Sequence, residues 1–196
     1  NEGDIMYKLV KFKDIIKIPP SLFKLPLNEA AKRVARELYE EQLIEGIGFI
    51  IKILEANASK MGKIVPSDGS SYHEAVFTAL VFEPILNEIV EGEVVLVEDA
   101  GLFIRLGPID GFLHRSQIYD DKFIYDRGQG AFFGKNTRYI IRKGDIVRCR
   151  IVSIGAGHRF YLLKIGLTMR QPFLGKIEWI KKEIRKLKKG GEKNAG

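Results

Sequence analysis

The first residues of the chain show a strand pattern followed by a helix pattern. Polar and apolar side chains alternate over residues 7–18, and Pro19-Pro20 ends that run, which predicts a half-buried strand. From residue 27 to about residue 44, apolar residues recur at the three- and four-residue spacing of a helix face. Asn28 is a suitable N-cap residue for this helix.

Two further apolar runs, at 47–56 and 75–82, are rich in residues that favour strands. Between them, residues 62–70 are rich in glycine, proline, serine and aspartate, which predicts a turn-rich connection. The order strand, helix, strand, strand predicts a small α+β domain that closes at Glu83-Pro84.

The second half has short strand patterns separated by Gly, Asp and Pro, with a long loop-rich stretch at 119–139. The predicted strands are 94–97, 102–106, 111–114, 146–154 and 160–169. Five short strands with one long connection after the third are typical of a small closed barrel such as the OB fold. The fold class is therefore α+β followed by all-β.

A last amphipathic helix ends the pattern. Its apolar stripe consists of Ile177, Ile180, Ile184 and Leu187, with Trp179 to one side and lysines elsewhere. We expect the stripe to pack on the chain's own domains; a partner protein and a membrane surface are the alternatives.

These patterns predict four segments. Residues 1–5 precede the first methionine and are predicted to be a vector-derived remnant. Residues 6–86 form the N-terminal domain, 87–187 form the barrel with its C-terminal helix, and 188–196 form a disordered basic tail.

Charge is distributed unevenly along the chain. The 196 residues carry a formal net charge of +7, with −2 over residues 1–5, no net charge over 6–90, +3 over 91–169 and +6 over 170–196. The second half is therefore a candidate for binding polyanions, whereas the alternative is a solvated basic face and tail.

Few residues favour catalysis or a metal site. Cys149 is the only cysteine, so an internal disulfide and a paired-cysteine zinc site are excluded. The three histidines lie in different elements and none has metal-ligand spacing; phosphate-loop and nucleophile-elbow motifs are missing. We expect no intrinsic enzymatic activity, no cofactor and no metal.

No apolar stretch is long enough to span a membrane, and a cytoplasmic location is expected.

Strand alternation predicts a binding face on the barrel. Side chains of one parity in three strands are aromatic or cationic, and they are Phe103, Arg105, Phe112, His114, Arg148 and Arg150. Cys149 has the opposite parity and is predicted to fill the core. Rings for base stacking beside guanidinium groups for phosphates are typical of single-stranded RNA binding. The alternative is that Phe112 packs under the long loop and the arginines are only solvated.

The segments 90–95, 101–106 and 111–118 resemble the S-one family of RNA-binding domains, whose fold is the OB barrel. This copy has Ala100 where an aromatic residue is common and Arg115 where an apolar residue is common. The first difference weakens stacking, so affinity is expected to depend more on charge, and Arg115 joins the candidate RNA-binding residues.

The chain from Met6 onward resembles the E-prime family of archaeal RNA polymerase, the counterpart of the seventh subunit of eukaryotic RNA polymerase II. The segments that carry the resemblance are Met6-Tyr7-Lys8-Leu9, Ile18-Pro19-Pro20, 68–73, 167–172 and 174–180. It covers roughly residues 6–182.

The resemblance implies a stalk component of the polymerase. Its ribonucleoprotein-like N-terminal domain would dock on the core subunits, and its barrel would bind the emerging transcript. A helical partner, the F polypeptide of the polymerase, would contact both domains and form a heterodimer with the chain.

We expect the segment between residues 62 and 73 to contribute to docking, with a plain hairpin as the alternative. Its candidate residues are Gly62, Asp68, Gly69, Tyr72 and His73. Two other functions stay open: a free RNA-binding adaptor of translation or RNA decay, and a small enzyme acting on RNA.

Overall fold

The structure is a computed structural model that describes residues 6–66, 68–156 and 163–192. The predicted remnant at 1–5, the start of the predicted fifth barrel strand at 160–162 and the last four residues lie outside this range. The chain divides into two compact units after Glu83, near the predicted boundary.

The first unit is an antiparallel sheet with one helix on it. Its elements are β1 (Tyr7–Ile18), α1 (Leu27–Tyr39), β2 (Gln42–Ile44), β3 (Gly48–Ile64) and β4 (Ser71–Phe82). The strand order is β1-β4-β3-β2. The predicted strand–helix–strand–strand order is confirmed, but the helix was predicted too long: it ends at Tyr39, and residues 42–44 form the short strand β2.

Helix α1 packs through its small residues. Ala30, Ala31 and Ala35 are fully buried and face a core that includes Ile53 and Phe77. Alanines at three- and four-residue spacing let the helix lie close to the sheet, because no bulky side chain separates the two backbones.

The N-cap prediction for α1 was wrong. The helix begins at Leu27 with Pro26 in the N-cap position and no side-chain cap. The Asn28 carboxamide oxygen instead accepts a hydrogen bond from the Ala58 backbone N–H at 3.0 Å. Asn28 therefore fastens the helix to β3 rather than capping its own turn.

The predicted turn-rich connection at 62–70 is shorter than expected, because its first three residues belong to a strand. Strand β3 runs through Ile64 and β4 starts at Ser71, so that only residues 65–70 form the turn. Between the pairs Ala58–Ala75 and Gly62–His73 the register shifts. The extra residues at 59–61 form a β-bulge just before the predicted connection, and pairing resumes regularly from Gly62.

The second unit contains the barrel. Its elements are β5 (Ile89–Glu98), β6 (Gly101–Arg105), β7 (Asp110–His114), β8 (Phe123–Asp126), β9 (Ala131–Gly134), β10 (Ile140–Arg142), β11 (Ile146–Ala156), β12 (Leu163–Thr168), β13 (Gly175–Lys176) and α2 (Ile177–Glu192). The sheet order is β12-β7-β6-β5-β11-β13, and β12 also pairs with β11. These pairings close a five-stranded barrel with a C-terminal helix, which confirms the predicted OB-like fold.

The barrel interior is apolar and tightly packed. Alternate side chains of each strand fill the interior. Those with no exposed surface are Val94, Leu102, Ile104, Leu113, Val147, Cys149 and Ile151. Cys149 is thus a core residue, as predicted, and burial raises the pKa of its thiol to about 12. At Gly101 a Cβ atom would lie 2.2 Å from the Leu113 carbonyl oxygen, so this close approach of β6 to β7 requires glycine.

The predicted loop at 119–139 contains most of a small sheet. Strands β8, β9 and β10 pair in the order β10-β9-β8, and Phe132 and Ile141 on one side of that sheet are fully buried. Strands of three or four residues are too short to show a clear period in the sequence. Asp121 fixes the connection between β9 and β10, where it accepts hydrogen bonds from the Thr137 N–H and hydroxyl at 2.8 and 2.7 Å and from the Asn136 N–H at 3.0 Å.

Helix α2 is held by the first part of its apolar stripe. Trp179 and Ile180 are 3% exposed, and the Trp179 ring stacks on Tyr139 at 4.6 Å. Ile184 and Leu187 are 39% and 62% exposed. The prediction that the stripe packs on the chain's own barrel unit is thus confirmed for Ile180. It is wrong for the second half of the stripe, because the small sheet reaches only the first two turns of the helix.

The end of α2 also differs from the prediction. The helix continues to Glu192, so residues 188–192, assigned to the disordered tail, are helical. Within the described residues, no helix is both long and apolar enough to cross a membrane.

Candidate nucleic-acid interface

An aromatic row lies on the outer surface of the barrel. Phe103 in β6 pairs with Phe112 in β7, and their ring centroids are 5.1 Å apart. The His114 ring lies 6.5 Å from Phe112. Both phenylalanines are half-buried and His114 is exposed. Strand pairing therefore brings together the three aromatic residues that sequence alternation predicted, with faces available to flat bases.

His114 is held in one orientation by the turn that follows it. Its Nδ1 atom accepts the Ser116 backbone N–H at 3.2 Å and lies 2.8 Å from the Ser116 hydroxyl. A backbone N–H can only donate, so the proton of the neutral ring is on Nε2. The exposed edge of His114 is then a hydrogen-bond donor.

The arginines of the predicted face are distributed around the barrel and paired with carboxylates. Arg105 lies next to the aromatic row, but its Nε is 3.5 Å from Asp110. Arg148 binds Glu91 at 2.7 Å. Strand β5 separates Arg148 from β6 and presents the Glu91 carboxylate between them. The sequence predicted one face that combines aromatic and basic side chains. In the structure the aromatic row and the arginines of β11 are separate.

Arg150 and Arg115 complete the predicted set. Arg150 is half-buried on β11 beside Ile89, and its Nε has no hydrogen-bond partner among the described atoms. Arg115 Nη1 is 3.2 Å from the Asp99 carboxylate. Exposed ion pairs of this kind contribute about 0–1 kcal/mol each, so phosphate groups can replace the carboxylates at small cost.

Several residues beside the aromatic row were missed by the sequence prediction. A groove next to Phe112 is lined also by Gln117, Val152, Gly166, Thr168 and Arg170. These residues come from β11, β12 and the segments after β7 and β12, so only barrel closure brings them together. The one local signal was the 167–172 segment, which contributed to the family resemblance but not to the predicted site.

Two cations are relevant to this groove, since Arg170 lines it and Lys164 belongs to its strand β12. Arg170 binds Asp120 at 2.7 Å through one nitrogen, which leaves its other N–H groups for a ligand. Lys164 is exposed on the same face of β12 as Gly166 and forms no ion pair with any residue that the structure describes. Both can meet phosphates of a strand lying along the aromatic row.

The predicted docking residues lie at the end of the β3–β4 hairpin in the first unit. Asp68 binds Lys17 of β1 at 2.5 Å and accepts the Ser70 N–H at 2.9 Å, so the pKa of its carboxyl group is lowered by the Lys17 hydrogen bond. Tyr72 is within 3.4 Å of the same carboxylate. Gly69 has a positive φ of 67°, the conformation that this tight turn requires.

Gly62 and His73 serve the hairpin itself. His73 is 7% exposed and its Nδ1–H donates to the Ser59 carbonyl at 2.8 Å. A Cβ atom at Gly62 would lie 2.3 Å from the His73 ring. The side chain of His73 is therefore not available as a surface contact, contrary to its assignment as a docking residue. The exposed apolar side chains nearby are Met61, at 89%, and Ile64, at 70%.

Metal ligands do not cluster in the part of the chain that is described. Asp121 in the barrel unit has its pKa lowered to about 2, chiefly by the Thr137 backbone N–H. Its partners are all structural, and the arrangement is that of a loop anchor.

Comparison with known proteins identifies both units. Residues 13–69 match the family model "SHS2 domain found in N terminus of Rpb7p/Rpc25p/MJ0397", and residues 83–159 match "S1 RNA binding domain". The second match confirms the S-one resemblance of the barrel.

Curated proteins match over most of the chain. It is 45% identical over 175 residues to "DNA-directed RNA polymerase subunit Rpo7" of Saccharolobus solfataricus, covering 89% of this chain and 97% of that protein. The protein of the same name from Sulfolobus acidocaldarius is 44% identical, with 94% and 100% covered. "DNA-directed RNA polymerase II subunit rpb7" of Schizosaccharomyces pombe is 27% identical, with 82% and 92% covered.

Proposed function

The chain belongs to the Rpo7 family of DNA-directed RNA polymerase subunits, and on that premise we propose that it is the transcript-binding stalk subunit of its polymerase. The family membership confirms the polymerase-subunit prediction. RNA binding by the barrel, docking by the first unit and pairing with the F polypeptide are the specific parts of the proposal. A cytoplasmic place of action is part of the same proposal.

The aromatic row carries the proposal for RNA binding. Three rings lie across β6 and β7, and Phe112 and His114 also line the groove that contains Arg170. Each stacked base contributes roughly 1–3 kcal/mol in single-strand complexes, and stacking needs no particular sequence. The arrangement supports binding of single-stranded RNA with weak overall sequence preference.

The test is fluorescence anisotropy of a labelled single-stranded RNA with the full chain. Phe112→Ala should weaken binding at least about fivefold, since one stacked base is lost. Phe23→Ala, at a half-exposed position in the other unit, is the matched control and should bind as the unmodified protein does. Equal affinity of all three proteins would contradict the role of the aromatic row.

The β3–β4 hairpin is the proposed docking element. Met61 and Ile64 expose apolar surface close to a turn fixed by the Asp68–Lys17 ion pair. Exposed apolar side chains on an ordered projection are typical of protein contacts. Ile64→Asp should reduce recovery of the chain with tagged polymerase core subunits, whereas Leu38→Asp, at an exposed position on α1, should not. Undiminished recovery of the Ile64 variant would exclude this contact.

Pairing with the F polypeptide is supported by apolar surface on each unit. Leu9 and Ile15 are exposed on β1, and Ile124 and Ile140 are exposed on the small sheet. Exposed apolar side chains on both units fit a protein partner. Co-expression with the F polypeptide should give a complex that co-elutes in size-exclusion chromatography, and separate elution would contradict the pairing. Recovery of the chain with translation or decay factors but without core subunits would instead favour the free-adaptor alternative.

A further inference from the structure

The groove beside Phe112 presents hydrogen-bond donors on its polar side. Phe112 and Val152 form apolar walls, and Gly166 lines the groove without a side chain. A Cβ atom at Gly166 would lie 2.2 Å from the Ser153 hydroxyl, so a larger residue here would displace the Ser153 side chain. The space suits a flat base that stacks on Phe112.

Gln117 is fixed as a donor. The Thr168 hydroxyl donates to the Gln117 Oε1 atom at 2.8 Å and accepts the Arg170 backbone N–H at 3.2 Å. A free carboxamide can rotate to offer either its oxygen or its NH₂ group, but this one is held with the oxygen occupied. No described residue accepts from Gln117 Nε2, and its two N–H groups are available to a ligand.

The other polar groups add donors. His114 presents Nε2–H, because Nδ1 accepts from Ser116, and Arg170 has N–H groups beyond the one bound to Asp120. Gln171 lies at the exposed rim and has no fixed orientation, so its carboxamide can offer a donor or an acceptor to either base. The anchored side chains of the groove thus require acceptors on the ligand.

We propose that this groove is a base-selective subsite that takes guanine in preference to adenine. Guanine offers two adjacent acceptors, N7 and O6, whereas adenine places an amino group beside N7 and would set donor against donor. This inference rests on the proposed RNA binding and adds one selective position to an interface that otherwise stacks any base.

The experiment compares two labelled uridine oligomers that differ at one central nucleotide, guanosine or adenosine, by anisotropy with the full chain. A third oligomer carries 7-deazaguanosine, which lacks only the N7 acceptor. The guanosine oligomer should bind at least about fivefold tighter than the adenosine oligomer, the lower end of discrimination by a bidentate contact. The 7-deaza oligomer should lose most of that advantage.

Two variants test the anchoring of Gln117. Thr168→Val keeps the side-chain shape but releases the carboxamide, so the ratio of guanosine-oligomer to adenosine-oligomer affinity should fall to about twofold or less. Gln117→Glu should reverse or abolish the preference. Gln171→Glu adds the same charge at the rim and should weaken both oligomers equally.

The outcomes are separable. Equal binding of the guanosine and adenosine oligomers would overturn the subsite and leave the proposed RNA binding standing. A preference that survives both Thr168→Val and Gln117→Glu would also overturn it. Failure of every oligomer to bind would refute the proposed RNA binding itself.

Discussion

Helix α2 gives a sharp test of the packing in the barrel unit, because the same substitution can be made at a buried and an exposed position of one stripe. Ile180 is 3% exposed and Leu187 is 62% exposed. Ile180→Asp removes about 2–3 kcal/mol of apolar burial. Holding a carboxyl group in that site adds about 3 kcal/mol at neutral pH, which corresponds to a pKa raised by roughly two units.

The sum is about 5 kcal/mol of lost unfolding free energy, against about 0.5 kcal/mol for Leu187→Asp at a surface position. The chain supplies its own reporter, since Trp179 is its only tryptophan and is buried beside Ile180. Urea unfolding followed by tryptophan fluorescence should show the Ile180 midpoint lowered by about 2 M or more, given the usual dependence on urea.

Ile180→Ala keeps the test quantitative if the aspartate variant does not fold. It should cost about 2–4 kcal/mol through the cavity that it leaves. Equal midpoints for the Ile180 and Leu187 variants would show that α2 is not packed on the small sheet, and would refute the reasoning.

Three further predictions follow from the barrel unit. RNA affinity should fall steeply and log-linearly with salt, because bound phosphates release counterions; an affinity independent of salt, measured by anisotropy, would contradict phosphate contacts. Asp121→Asn should lower the thermal midpoint at pH 7, and the difference from the unmodified protein should shrink as the pH falls from roughly 4 towards 2. The reason is that the pKa of Asp121 is depressed in the folded protein, so its stabilising contribution is present above the pKa of the unfolded chain and lost below the pKa of the folded one. A difference that does not change with pH would contradict the anchor role. Cys149, with its pKa raised to about 12 by burial, should resist a disulfide reagent at neutral pH until urea unfolds the unit, and rapid labelling of the folded protein would place the thiol at the surface instead.

The local pattern determined the longer strands and which side of each enters the core. Alternation in β6, β7 and β11 was sufficient to assign Leu102, Leu113 and Cys149 to the interior and Phe103 and Phe112 to the outside. A period of two residues sets these faces, and burial of apolar surface enforces them whatever the rest of the chain does.

Contacts between distant segments depended on register and closure. Placing Phe103 against Phe112 required the β6–β7 pairing, and the carboxylate partner of Arg148 required the β5–β11 pairing. The donor groove needed closure through β12, which brings Val152 and Thr168 to Phe112. Alternation predicts which face of a strand each side chain occupies, but it does not predict which other strand pairs with it.

The short elements show the same limit. Strands β8 to β10 have three or four residues each, too few for a visible period, and they exist because Phe132 and Ile141 are buried on one side of the small sheet. Likewise the stripe of α2 is continuous in sequence, yet only its first half is covered. The sequence alone determined the two-unit architecture and the outward aromatic residues, whereas tertiary packing decided which apolar residues find a partner, because burial requires a second surface at the right distance.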